Sequence, residues 1–355
     1  MDSRNRILSA MHLEQPDRVP MSPFITTGWI NAAGEKVFEE FLEETDLILV
    51  LTLSSHIMMG EKAVAITEAM REGNEITTII HTPAGNLVSV AVEETQYSWV
   101  REFPFKNADD IEKFYSIPYE PPAVDVELWR HWDERIGERG LVLADIPSAI
   151  YFPGSWFSPE DFMMHYMDNP NMIIDLMNTA QERILIFVEK CLEQGIKHFR
   201  IVGPELAVPP LMGPDSFRRL VVPYDREVAK LIRSAGGTVH VHSHGRVGEL
   251  LEEFASIGCH SLDPLEAPPS GDVCLADAKK RIGDRVCLVG NLDDMAVISS
   301  VPLNELEKLC KSCIDKAAPG GGYILAGTST GLYTPKLAER WLFMAKVARE
   351  YGSYS

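Results

Sequence analysis

Short apolar runs that end in small, polar or turn-forming residues recur along the chain, separated by longer stretches with the spacing of amphipathic helices. Eight such runs predict strands, over residues 19–24, 46–53, 140–149, 197–205, 237–245, 259–266, 285–293 and 322–329. Leu47-Ile48-Leu49-Val50-Leu51 is apolar at every position, as expected of a parallel strand covered on both faces. The clearest helical stretches, 170–195 and 214–237, open at proline and close at glycine. Eight strand–helix units predict an α/β fold, a closed (β/α)8 TIM barrel, with a doubly wound open sheet as the alternative. One segment breaks the rhythm. Residues 75–105 alternate polar and apolar around Pro83-Ala84-Gly85-Asn86, which predicts a β-hairpin inserted after strand two. The most economical organisation is one domain over 1–355.

Charge narrows the possible partners. The 33 Lys and Arg against 52 Asp and Glu leave −19 over 355 residues, a field that repels nucleic acid and anionic membrane surfaces. No apolar run approaches the roughly 20 residues of a membrane span, and the first twenty residues lack a secretory apolar stretch, so a cytoplasmic protein is expected. The six cysteines, Cys191, Cys259, Cys274, Cys287, Cys310 and Cys313, read as reduced and mostly buried thiols. Cys310 and Cys313 lie in a helical pattern, where packing is their expected role.

In barrels of this type, chemistry sits at the C-terminal ends of the strands. The polar residues there are Ser22, Ser148, Glu205, His242, His244, Asp263, Glu266, Asn291, Asp293, Thr328 and Ser329. The densest signal is Val239-His240-Val241-His242-Ser243-His244-Gly245, whose period of two puts three imidazoles on one face. His240 is expected to fill the barrel interior. His242 and His244 are candidate ligands for a divalent metal, zinc being the usual choice for imidazole, with Glu205 or Glu266 from the flanking strands as third ligand or general acid/base. Arg246 follows as a possible contact for an anionic group. Phe24, Trp29, Tyr151 and Asn291 are expected to line a substrate pocket. The glycine run 320–322 precedes a strand, the wrong end for a phosphate loop, and no Walker, GxSxG or HExxH pattern is present.

Four blocks carry a resemblance: SRNRILSAMHLEQPDRVPM (3–21), HVHSHGRVGELLEEFASIGCHSLDPLE (240–266), DAKKRIGDRVCLVGNLDD (277–294) and YILAGTSTGLYTP (323–335). Together they resemble the uroporphyrinogen decarboxylase superfamily, which includes cobalamin-dependent methyltransferases. The resemblance implies the (β/α)8 barrel, a monomer or homodimer, and one of two activities. Methyltransferase members carry His-x-Cys-Gly at the end of strand five and a later cysteine near strand eight, which hold zinc. Here His242 matches the histidine, His244 stands at the first cysteine, and no cysteine lies near Thr328. Decarboxylase members carry an arginine-containing block after strand one, whereas residues 22–29 here contain no arginine. Burying a polycarboxylate without cations costs several kcal/mol per charge. The resemblance therefore implies a metal-assisted methyltransferase that exchanges a methyl group between a small metabolite and a corrinoid on a partner protein. The alternatives are uroporphyrinogen decarboxylation, or a non-catalytic barrel that binds a tetrapyrrole or a corrinoid protein.

Overall fold

The computed structural model describes all residues except Gln96, Ser329, Thr330 and Ser355, so Ser329 of the predicted eighth strand lies outside the described residues. Among the described residues, twelve strands form two sheets. In chain order they are β1 (Phe24–Thr26), β2 (Leu47–Leu51), β3 (Thr67–Glu72), β4 (Glu75–Thr82), β5 (Gly85–Glu93), β6 (Ser98–Glu102), β7 (Gly140–Pro147), β8 (His198–Val202), β9 (Thr238–His242), β10 (Ser261–Asp263), β11 (Cys287–Asn291) and β12 (Tyr323–Ala326). The larger sheet has the order β1-β2-β7-β8-β9-β10-β11-β12, so all eight predicted strands are present and the fold is the expected (β/α)8 barrel. Neighbouring strands whose register is resolved run parallel.

The first strand begins later than its apolar run suggests, because the run serves two neighbours. Phe24 to Thr26 pair with Ile48 to Val50 of β2, whereas Met21 bridges Leu325 of β12. Ser22 N donates to Leu325 O at 3.0 Å and Leu325 N donates to Pro20 O at 2.9 Å, which joins the last strand to the first. Asp46 supports this seam. It is fully buried and accepts from Arg6 Nη1 at 2.6 Å, Arg18 Nη1 at 2.7 Å and Met21 N at 3.0 Å.

The chain packs as two compact units, where the sequence suggested one domain over 1–355. The first, Met1–Leu53, Val126–Ile146 and Gly195–Ser355, carries the barrel. Its helix Ser3–Met11 buries Ile7, Ala10 and Met11 against the inward residues Phe24, Ile48, Val50, Leu141, Leu143, Val289, Ile324 and Ala326, one continuous apolar cluster. The second, Ser54–Asp125 and Pro147–Gln194, holds the sheet β3-β4-β5-β6 and a cluster of rings formed by Phe105, Phe114, Phe152 and Phe157. The expected hairpin is β4 and β5, closed by Pro83-Ala84 between the paired residues Thr82 and Gly85. It is the centre of a four-stranded antiparallel sheet rather than an isolated hairpin, since β3 pairs with β4 and β6 with β5. No helix among the described residues is long and apolar enough to cross a membrane.

Candidate functional site

Strand alternation builds the site. On β9, His240 and His242 share a face, and the parallel register sets His240 beside Arg200 of β8 and Ser261 of β10, and His242 beside Asp263. On β7, Leu141 and Leu143 belong to the interior cluster, so Asp145 two residues on faces inward too. The barrel interior is thus divided. Strands β7 to β10 contribute Asp145, Arg200, His240, His242 and Asp263, while the apolar interior cluster draws on β1, β2, β7, β11 and β12.

Asp263 is the hub. Its Oδ1 accepts from His240 Nε2 at 2.6 Å and from His242 Nδ1 at 2.9 Å, and its side chain has no exposed surface. Burial would raise its pKa, but His242 and His240 hold it well below the usual carboxylate range. An ionised carboxylate only accepts, which fixes both tautomers. His240 donates Nε2–H, leaving Nδ1 to accept from Ser261 Oγ at 2.8 Å. His242 donates Nδ1–H, leaving the Nε2 lone pair free of that proton. Burial pushes His242 down to about 4 against the pull of Asp263, so its ring is neutral at pH 7. The Phe24 ring stacks on His240 with centroids 5.0 Å apart.

His244 lies beyond the strand and pairs with a different acid. Its Nδ1 is 3.0 Å from Glu266 Oε1, while Glu266 Oε2 accepts the Gly245 N–H at 2.7 Å. Burial alone would lower the His244 pKa; Glu266 outweighs it and raises the value, whereas burial of Glu266 is outweighed by His244 and the Gly245 amide, which lower its own. Gly245 has φ +94°, the left-handed region that lets the chain turn out of the strand. The His242 and His244 rings meet edge to face at 4.6 Å. Burial raises the pKa of Glu205, whose Oε2 accepts the Gly203 N–H at 3.1 Å.

The other expected residues divide. Arg246 is exposed at the turn after His244. Trp29 does not line a pocket: helix Thr27–Ala33 turns its ring into the core, 4.8 Å from Phe41 and 6.4 Å from Trp341. Phe24 joins both the interior cluster and the site. Tyr151 opens helix Tyr151–Trp156 of the second unit, where it is exposed. Asn291 is buried, but its Oδ1 takes the Cys313 Sγ–H at 3.6 Å, which turns its amide to the helix Leu303–Ala317 rather than to the histidines. Cys310 and Cys313 are buried as expected; Cys274 is exposed. Sequence reasoning passed over Asp145, Arg200 and Ser261; counting in twos reaches Asp145 from Leu141 and Ser261 from Asp263, whereas Arg200 is placed only by the register between β8 and β9.

A metal would have to use the Nε2 atoms of His242 and His244, since both Nδ1 atoms face carboxylates, an arrangement that orients metal-binding histidines elsewhere. Yet among the described residues no three His, Cys, Asp or Glu side chains form a group that could hold a metal ion. The set expected from the sequence, His242, His244 and Glu205, is not gathered into such a group, and no chemistry is routed through a metal below.

A barrel of eight parallel strands with histidine–carboxylate pairs where its strands end defines the class. The chain belongs to the uroporphyrinogen decarboxylase (URO-D) family, whose model matches residues 2–351. It is 23% identical over 332 residues to the methylcobamide:CoM methyltransferase MtaA of Methanosarcina barkeri, spanning 90% of this chain and 92% of that one. Likeness to the uroporphyrinogen decarboxylase of Thioalkalivibrio sulfidiphilus is 26% over 164 residues, 44% of this chain and 43% of that one. Among solved structures, a methyltransferase from Methanosarcina mazei matches with a TM-score of 0.66 at 18% identity over 98% of both chains, a likeness of fold.

Proposed function

We propose that the protein is a corrinoid-linked methyltransferase, exchanging a methyl group between a small metabolite and a corrinoid carried on a partner protein. The observation that carries the proposal is the neutral His242, oriented by the ionised Asp263 where β9 ends, with its Nε2 lone pair as a hydrogen-bond acceptor. An acceptor X–H that receives a methyl cation equivalent must lose its proton, and the oriented neutral imidazole accepts the X–H hydrogen bond and turns the X lone pair toward the methyl group. The His244–Glu266 pair and Glu205 beside it provide the charges that hold the acceptor. The likeness to a methylcobamide:CoM methyltransferase over nearly both full lengths supports this reading, whereas the likeness to a decarboxylase covers under half of either chain.

Purified protein given methylcobalamin and small thiols, amines or alcohols should bleach the methyl–cobalt absorbance with one acceptor class. His242→Asn should slow that reaction by about 10²-fold or more. Conversion of uroporphyrinogen to coproporphyrinogen with no demethylation would replace this reading by decarboxylation, and ligand-induced stabilisation without turnover would replace it by a binding role.

A further inference from the structure

Helix Val222–Ser234 packs beside helix Leu251–Ile257 on the barrel wall, and between them lies a groove of about 420 Å³ lined by Arg226, Lys230, Arg233, Ser234, Ile257 and Gly258. The three cations recur at i, i+4 and i+7, so they share one helix face, with the first and third about 10 Å apart along the axis. All three are exposed, and among the described residues none of them forms an ion pair and no acid lines the groove. That is unexpected in a chain whose 52 Asp and Glu outnumber its 33 Lys and Arg. The acids of the neighbouring helix are committed to other cations: Glu252 accepts from Arg281 at 2.7 Å and Glu253 from Arg218 at 2.6 Å.

Capping explains part of the cluster. Arg226 donates through Nε to Ser256 O at 2.9 Å and through Nη2 to Ser256 Oγ at 3.0 Å, and Arg233 Nη1 donates to Gly258 O at 3.0 Å. Both guanidiniums thereby close the C-terminal end of helix Leu251–Ile257. These bonds hold the two forks in place without using all their donors, and Lys230 takes no part in them. Beside Arg233 two donors meet with no acceptor between them. His260 Nδ1 accepts the Val239 N–H at 3.0 Å, which leaves the ring proton on Nε2, and Arg233 Nη1 stands 3.4 Å from that atom. Burial, with Arg233 adding to it, pushes His260 down to about 4, so the ring is neutral and its Nε2 only donates. An anionic oxygen is the partner that both lack.

We propose that this groove on the outer wall of the barrel binds the diphosphate group of a small molecule, either free or carried by a nucleoside. Three cations spread over two helical turns match two linked phosphates better than one. Anchored guanidiniums present planar donor pairs suited to phosphate oxygens, and Lys230 between them adds a mobile point charge. The volume lies within the roughly 300–1,000 Å³ of small-molecule sites, and Ile257 offers an apolar wall to an attached organic group. The proposal is independent of the methyl-transfer reading, because none of these residues belongs to the histidine–carboxylate site.

The test is calorimetric titration of the full-length protein at pH 7 and low salt with pyrophosphate, orthophosphate, ADP and a hexaglutamate peptide. Pyrophosphate should bind about tenfold or more tightly than orthophosphate, and its affinity should fall as salt is added. Lys230→Gln, which removes no bond of the fold, should weaken pyrophosphate about tenfold, and Arg226→Gln should do the same. Lys36→Gln, on helix Glu35–Glu44, should leave the affinity unchanged. ADP bound more tightly than pyrophosphate assigns the nucleoside diphosphate as the source, and ADP bound no more tightly assigns the free diphosphate; either supports the site. No pyrophosphate binding at millimolar concentration, orthophosphate bound equally well, or an affinity untouched by Lys230→Gln overturns it. Tighter binding of hexaglutamate than of pyrophosphate overturns it too, and makes the groove a contact for an acidic protein segment.

Discussion

One oxygen of Asp263 serves two imidazoles, and this sharing sets how the residue responds to change. An asparagine would present a neutral oxygen, so nothing would hold the His242 Nδ1–H tautomer as firmly. Asp263→Asn should therefore lower kcat for methyl transfer by about 10²-fold or more with KM changed little, as steady-state kinetics would read it. Asp46 invites a different experiment. With no exposed surface, it is held by two arginines and the Met21 amide. Asp46→Ala leaves Arg6 nearly buried beside a missing partner, and urea unfolding should show a loss of about 3–5 kcal/mol. At this scale the sequence was partly legible. The period of two in Val239 to His244 put His240 and His242 on one face, and both are buried there against Asp263. It could not show that Asp263 reaches back across the strand gap to both, because cross-strand register is not written in either strand alone. Trp29 was misassigned for a related reason: an aromatic ring just past a strand end reads equally as pocket wall or core, and only the partners Phe41 and Trp341 decide.

Among the elements, the strands were easier to read than their first residues. A parallel strand buried on both faces is apolar throughout in β2, and β7 is so up to Ala144, so these stand out, whereas β1 is shortened because its apolar run also serves β12. The insertion was legible as a hairpin because β4 and β5 meet at a Pro-Ala-Gly turn. Its outer strands β3 and β6 were harder to see, since they are mostly exposed and lack an apolar face. Strand starts demand glycine for a reason visible only in three dimensions. A Cβ on Gly237 would stand 2.5 Å from Lys197 O and 2.7 Å from Ile232 Cγ2. Gly237→Ala should push β9 from β8 and cost about 2–3 kcal/mol in denaturant unfolding, by overpacking. The effect should reach the site through His240 and His242.

For the molecule as a whole, protonation links several distant histidines to stability. Burial lowers His198, His242 and His260 to about 4, below the ordinary value of 6.5. Between those values the unfolded chain binds more protons than the folded one, so stability rises with pH there and is lost as pH falls. From pH 7 to pH 5 each can contribute up to about 2 kcal/mol of loss, while His244, raised by Glu266, acts in the opposite sense. Urea titrations at the two pH values should show a net drop, made smaller by His198→Gln, which lies outside the site. The overall architecture was legible because alternation of strand and helix is a global signal. The division into two compact units was not, since it depends on segments far apart in the chain, Ser54–Asp125 and Pro147–Gln194, packing on one another.

Helix Ser3–Met11 stops the ring of strands like a cork, with Ile7, Ala10 and Met11 wedged among the inward side chains. That end of the ring is therefore filled by apolar side chains, and the polar groups Asp145, Arg200, His240, His242 and Asp263 come from the opposite stretch of the strands.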